Sequence, residues 1–122
     1  MHQKTILQRY VQVAEMLGKM FPNILEAIVH DFSDLDHSII FIINGHISGR
    51  QVGDGATELG LRRLIGGEKI PDMIVNYRNR NFRGNHLKSA SLAIRNDKGD
   101  MIGALCLNFD LSFFEHFRHF LT

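Results

Sequence analysis

The sequence HLKSASLAIRNDKGDMIGALCLNFDL, residues 86–111, decides the fold of this chain. It predicts two long strands joined by a turn at residues 96–99, where Gly99 supplies the left-handed backbone that such a turn needs. If Asn96 pairs with Asp100 across a glycine bulge, the rest of the register follows. One face of this hairpin then carries Ala90, Leu92, Ile94, Ile102, Ala104 and Cys106. The other face carries Ser89, Ser91 and Ala93 opposite Leu107, Leu105 and Gly103.

Neither face of this predicted hairpin is fully polar, so both faces should be covered by other parts of the chain. The face of Ser89, Ser91, Ala93 and Gly103 consists of unusually small residues. Such small residues leave space that a protein core normally fills. This face is therefore either closed by a large neighbouring side chain or held open for a ligand.

The segments on either side of the hairpin complete an α+β architecture. The predicted elements are a helix at about 3–20, strands at 24–32, 37–44 and 73–82, a short helix from 56 or 57 to 65 that stops at Gly66 and Gly67, and a phenylalanine-rich helix after residue 111. We therefore expect a five-stranded antiparallel sheet with helices on one face, plus a flanking N-terminal helix and a C-terminal helix. The N-terminal helix has an apolar stripe, which must cover the sheet or pair with a second copy of the chain.

The chain of 122 residues, 44% hydrophobic and 22% charged, suits one domain over 1–122. The flanking helix at about 3–20 precedes a core at about 24–111, and residues 112–122 are predicted to start a signalling or linker helix. The phenylalanine stripe of this last segment is still running where the sequence stops, which suggests that the full protein continues.

Charge and cysteine content exclude several classes of protein. The formal net charge of +1 gives no electrostatic footprint for nucleic acid. No apolar run approaches the roughly 20 residues of a membrane span. The N-terminus lacks a signal-peptide pattern, and Cys106 is the single cysteine and cannot form an internal disulfide. These features predict a cytoplasmic protein without a membrane partner.

A glycine-rich loop at residues 45–55 precedes the short helix and contains four glycines. Its amides and the helix dipole could bind an anion, with Arg50 as a charged clamp. Alternatively, the glycines only allow a tight path between the sheet and the helix. Lys88, Asn76 and Asn108 leave a similar choice, because polar residues within apolar strands either line a pocket or face solvent.

Several motifs resemble those of one known family. They are Asn44-Gly45-His46, Ser48-Gly49-Arg50 and Gly53-Asp54, followed by His30-Asp31, Asn76-Tyr77, Leu87-Lys88-Ser89 and Gly103-Ala104-Leu105-Cys106 with Asn108, Phe109 and Asp110. Over about residues 17–111 this set resembles the YheO-like PAS domain. The resemblance implies a PAS-like fold and the sensory N-terminal part of a bacterial transcriptional regulator. It also implies that DNA is bound only through a C-terminal helix-turn-helix, which is missing from this sequence.

The predicted ligand site lies on the small-residue face, beneath the helix of Leu61 and Leu64. The candidate ligand-binding residues are Asn44, His46, Ser48, Arg50, Asn76, Tyr77, Ser89 and Ser91. Hydrogen-bond donors outnumber acceptors in this set, which predicts a small polar or anionic metabolite. No haem, flavin or metal is expected, because the register places Cys106 on the opposite face and because His116 and His119 lack further ligands at a suitable spacing.

The sequence favours a small-molecule-sensing domain that acts as a homodimer. The alternative is a dimerisation or structural module with a filled core and no ligand. Catalysis is not expected, because no nucleophile, base and orienting group stand together in the sequence and because Cys106 lies mid-strand among apolar residues, where a thiol is inert.

Overall fold

The computed structural model describes residues 2–65 and 70–122. Its helices are α1 (Gln3–Met20), α2 (Glu58–Ile65) and α3 (Ser112–Leu121), and its strands are β1 (Leu25–Asp31), β2 (Ile39–Ile43), β3 (Met73–Arg80), β4 (His86–Arg95) and β5 (Met101–Asp110). A short 3-10 helix, Leu35–His37, connects β1 to β2. The predicted end of the short helix at Gly66 and Gly67 lies outside the described residues.

The five strands form one antiparallel sheet in the order β2-β1-β5-β4-β3. This confirms the predicted α+β class. The hairpin of β4 and β5 occupies the middle of the sheet, with β5 between β1 and β4. The long hairpin strands thus contribute surface to both faces of the sheet.

The register of the hairpin differs from the prediction by one residue. Asn96 N donates to Asp100 O at 2.9 Å, as expected. However, a bulge between Ile94 and Arg95 places Ile94 opposite Gly103 rather than Ile102. Because side chains alternate along a strand, this shift of one residue moves all of the following β5 side chains to the other face.

The helix α1 covers one face of the sheet. This is one of the two roles that its apolar stripe predicted. Ile6, Leu7 and Ala14 are buried in the main core cluster. Their partners from the sheet are Ala27, Val29, Ile94, Ile102 and Leu105. At Gly103 an added Cβ would lie 3.0 Å from Leu7 Cδ2 and 2.1 Å from the His30 carbonyl oxygen, so glycine is required for this close packing.

The helix α3 projects a row of exposed apolar side chains. Phe113, Phe117 and Phe120 are 54%, 56% and 85% exposed, respectively. Phe114 stacks on Phe109 of β5, which joins the base of the helix to the sheet. Among the described helices, none is both long enough and apolar enough to cross a membrane.

Candidate functional site

A cavity of about 300 Å³ lies on the sheet face opposite α1. Its floor is formed by Ile28 and His30 of β1 and by hairpin residues that include Ser91, Ala104 and Cys106. The glycine loop, α2 and β3 form its walls. The sequence was therefore right that one hairpin face is incompletely filled, although several residues of that face differ from those predicted.

Four of the eight candidate residues line this cavity, namely Ser48, Arg50, Tyr77 and Ser91. Ser89 is buried on the same sheet face and donates to Asn108 Oδ1 at 2.6 Å, so it supports a residue of the cavity wall. Their role in ligand binding stays a prediction.

The other three candidates lie away from the cavity. Asn44 Nδ2 donates to Leu25 O at 2.7 Å and Gly18 O at 3.0 Å, which ties the end of β2 to α1 and β1. His46 is exposed on the glycine loop and does not contribute to the cavity wall. Asn76 is exposed at a bulge in β3 with φ 60°.

Cys106 lies on the cavity face, so the prediction that placed it on the opposite face was wrong. It stands directly opposite Ser91, and the two side chains approach to 3.6 Å between Oγ and Sγ. The bulge beside Arg95 causes this exchange of faces. The same bulge places Gly103 on the face that packs against α1. The register argument against a cofactor at Cys106 therefore fails.

The short helix α2 lines the cavity as predicted, but with different residues. Gly60 and Arg63 contribute to the wall, whereas Leu61 and Leu64 do not. Arg63 Nη1 donates to Ser91 Oγ at 2.8 Å, and its Nη2 donates to the carbonyl oxygens of Pro71 and Asp72 at 3.0 and 3.1 Å. This one guanidinium joins α2 to the start of β3 and to the hairpin.

Sequence reasoning missed Arg63 because an arginine on an amphipathic helix usually faces solvent. It also missed His30, Phe32, Thr57, Asn79, Arg80, Asn81, Phe82 and Leu87 of the cavity wall. The signal that could have found His30 was its place in the uninterrupted buried strand Leu25–Asp31, where a polar residue needs a partner.

His30 is buried beneath the cavity and is held in its neutral form. Burial lowers its pKa from 6.5 to about 4, and the nearby positive charge of Arg50 adds to the shift. Its Nδ1 lies 2.7 Å from the hydroxyl of buried Ser38. Ser38 therefore engages Nδ1 of the ring.

The glycine loop is held in place by side chains of the sheet and by a side chain of the loop itself. Ser48 N donates to Glu26 Oε2 at 3.0 Å, and Asn108 Nδ2 donates to Glu26 Oε1 at 2.8 Å. Arg50 Nη2 donates to the carbonyl oxygen of Gly55. One of the loop amides that were considered as a site for an external anion is thus bound by the protein's own buried carboxylate.

Two further ionisable groups in the wall are shifted toward their neutral forms. Burial raises the pKa of the Cys106 thiol, and burial likewise raises the pKa of the Tyr77 hydroxyl. The thiol is therefore protonated at neutral pH, which is the opposite of what a cysteine nucleophile needs.

Comparison with known families gives one match along the whole chain. The sequence profile of the YheO-like PAS domain matches residues 1–122. The Escherichia coli K12 protein YheO is 35% identical over 107 residues, which are 87% of this chain and 45% of that protein. The transcriptional regulator DauR of Pseudomonas aeruginosa is 28% identical over 109 residues, which are 89% of this chain and 49% of DauR. The chain spans about half the length of these curated relatives.

Solved structures with a similar fold include sensory domains. The sensor domain of E. coli DcuS has a TM-score of 0.52 and 20% identity, over 89% of this chain and 76% of that chain. An RNA-binding light-oxygen-voltage receptor has a TM-score of 0.53 and 13% identity, over 80% of this chain and 33% of the receptor. At these identities the likeness concerns the fold alone.

Proposed function

Because the chain belongs to the YheO-like PAS domain family, we propose that it is the small-molecule-sensing domain of a bacterial transcriptional regulator. The observation that carries this proposal is the cavity of about 300 Å³ between the sheet, the glycine loop and α2. Its size is at the lower end of the range of small-molecule sites, which favours a small metabolite.

The chemistry of the wall supports a polar or anionic ligand. Arg50, Arg63 and Arg80 all line the cavity, and the described lining residues include no carboxylate. A guanidinium remains charged at all physiological pH values and forms strong hydrogen bonds to anions. The ligand would lie between these cations and an apolar floor that includes Ile28 and Ala104.

Binding without catalysis is part of this proposal. The described wall includes a thiol and an imidazole, but the thiol is held protonated and the imidazole is already engaged at Nδ1 by Ser38. Such groups suit recognition better than activation of a nucleophile.

The remainder of the regulator would contact DNA. This domain would be cytoplasmic and would control that DNA binding. Relatives such as DauR are about twice as long as the part matched here, which leaves room for another domain. We expect the present chain alone to give no sequence-specific gel shift at physiological salt, because its net charge is only +1.

Homodimerisation is the second proposed property, and the exposed apolar side chains of α3 support it. Phe113, Phe117 and Phe120 would be poorly solvated in a monomer. A purely structural dimerisation module remains the alternative function, and it would need no ligand in the cavity.

Native mass spectrometry of protein purified from its host tests the sensing function. We expect a small molecule to be retained at one copy per chain and to raise the melting temperature when it is added back. Ser91→Leu and Ala104→Leu should each prevent retention by filling the cavity, whereas Ser33→Leu at an exposed turn should not. An empty protein whose melting temperature responds to no metabolite would favour the structural module instead.

A further inference from the structure

The side-chain carbonyl oxygens in the cavity wall are already occupied by donors from the protein. Three asparagines line the cavity, and each Oδ1 accepts at least one hydrogen bond. Asn79 Oδ1 accepts from Arg80 N at 2.9 Å, Asn81 Oδ1 accepts from Arg83 N and Asn85 N at 3.0 Å each, and Asn108 Oδ1 accepts from Ser89 Oγ at 2.6 Å. Asn81 Oδ1 accepts two hydrogen bonds, whereas Asn79 Oδ1 and Asn108 Oδ1 each keep one lone pair for a ligand, and none of the three oxygens carries a negative charge.

The hydroxyl groups of the wall are occupied in the same sense. Ser91 Oγ accepts from Arg63 Nη1 at 2.8 Å, and Thr57 Oγ1 accepts from Gly60 N at 3.3 Å. Ser48 Oγ accepts from the backbone amide of Arg50 at 3.1 Å. Each of these hydroxyls still has a hydrogen to donate and one lone pair to accept with, but it brings no negative charge to the wall.

The buried carboxylate behind the wall is also unavailable. Glu26 has no solvent exposure, and its two oxygens accept from Ser48 N and Asn108 Nδ2. Its negative charge is therefore directed into the protein. The Tyr77 hydroxyl, the Cys106 thiol and the neutral His30 ring also belong to the described wall, and none of them carries the negative charge of a carboxylate.

The charged side chains of the described wall, by contrast, are all cations. Arg50, Arg63 and Arg80 bring three guanidinium groups to the cavity. Arg63 Nε is buried and has no hydrogen-bond partner among the described residues. The guanidinium group of Arg63 keeps its positive charge beside the cavity at all physiological pH values.

We propose that the ligand is a small organic acid that carries carboxylate and oxo or hydroxyl oxygens but no ammonium group. This inference rests on the sensing function proposed above and names its ligand class. An α-amino acid of the same carbon skeleton would bring an ammonium group into a wall whose described charged side chains are all cations. That ammonium would lose its water without gaining a carboxylate partner, so the cavity selects against amino acids.

Isothermal titration calorimetry with matched pairs tests this selectivity. The pairs are pyruvate with L-alanine, 2-oxoglutarate with L-glutamate, and 3-methyl-2-oxobutanoate with L-valine. We expect at least one oxo acid to bind, and its amino counterpart to bind at least about tenfold more weakly. An amino acid that binds as tightly as its oxo acid, or a retained molecule that carries an amine, would overturn the ligand class and leave the sensing function intact. If no pair binds and nothing is retained, both proposals fail.

A charge-introducing variant tests whether the lack of a carboxylate in the described wall is the cause. Asn79→Asp adds a carboxylate to the cavity wall and keeps an oxygen for the Arg80 amide. We expect it to shift the affinity ratio toward the amino acid by roughly tenfold, because the new carboxylate attracts an ammonium and repels a carboxylate ligand. Asn76→Asp on the same strand is the matched control, since it adds the same charge outside the cavity and should change the ratio less than about twofold. An equal effect of both variants would contradict the assignment.

Discussion

His30 combines burial, a hydrogen bond to Ser38 and a neighbouring positive charge from Arg50. These three features act at the floor of the cavity. Protonation of His30 there would change both the stability of the fold and the preference of the cavity for its ligand. Its pKa of about 4 keeps the ring neutral through the physiological range.

Stability should therefore depend on pH through His30. The unfolded chain takes up a proton on this residue near pH 6.5, whereas the folded chain does so only near pH 4. The free energy of unfolding should have its full value above about pH 6.5 and should fall by up to about 3 kcal/mol as the pH is lowered toward 4. Chemical denaturation at a series of pH values would measure this slope.

The variant His30→Gln should flatten the pH slope, because glutamine does not titrate. His46→Gln, at an exposed position of the glycine loop, should leave the slope as it is in the wild type. A slope that persists unchanged in His30→Gln would assign the pH dependence to another group.

Glu26 is the second residue whose replacement should be costly. The change Glu26→Gln leaves one acceptor for two donors, because the amide nitrogen that replaces one oxygen cannot accept from Ser48 N or Asn108 Nδ2. We expect a loss of about 1–3 kcal/mol of unfolding free energy, measured by urea denaturation. Glu15→Gln, which removes an exposed pair with Lys19, should cost less than about 0.5 kcal/mol. Similar losses in both variants would argue against the buried network.

Among the elements, the pairing of β3 with β4 carries an electrostatic conflict. Arg78 stands directly opposite Lys88. Both side chains are exposed. Like charges in directly opposed cross-strand positions destabilise a sheet, so this edge is held by the rest of the hairpin and by the Asp72–Arg95 ion pair at its other end.

Lys88→Glu should convert this conflict into a favourable pair. We expect a gain of about 0.2–1 kcal/mol of unfolding free energy in urea at low salt, which declines as salt is added. The double variant Arg78→Glu with Lys88→Glu restores two like charges and should cancel the gain. A gain that survives in the double variant would show that the charge pairing is not its source.

For the whole molecule, the two sheet faces have different tasks. α1 packs on one face and forms the main hydrophobic core with it. The other face keeps a cavity beneath the glycine loop and α2. α3 leaves the sheet at the end of β5 with its phenylalanine side chains in solvent. A change at the cavity could thus reach α3 through β5, since Cys106 and Asn108 of that strand line the cavity.

The proposed homodimer makes a prediction at this scale. The wild-type chain should have the mass of a dimer in light scattering at micromolar concentration, and Phe117→Glu should be a monomer because a charge then enters the apolar contact. His119→Glu, on the opposite side of α3, should remain a dimer. A wild-type monomer, or a dimer unaffected by Phe117→Glu, would place the contact elsewhere or remove it.

The sequence by itself determined the elements and much of their arrangement. Local patterns were sufficient for α1, the five strands and α2, because alternation and helical spacing are read directly from neighbouring residues. The turn at Asn96 and Gly99 was sufficient to predict the hairpin and its Asn96–Asp100 hydrogen bond. Small residues on β4 indicated that one face has unfilled space, and Ser91 proved to line it.

Only the tertiary structure decided which β5 residues share that space. A single bulge beside Arg95 changes the register by one, and strand periodicity carries this small shift to Cys106 and Asn108 several residues away. Arg63 likewise could not be identified, because its partners Ser91 and Asp72 are distant in sequence and meet it only when α2 packs across the sheet. Backbone pairing and long-range polar contacts fix the composition of the cavity, and neither is encoded in local periodicity.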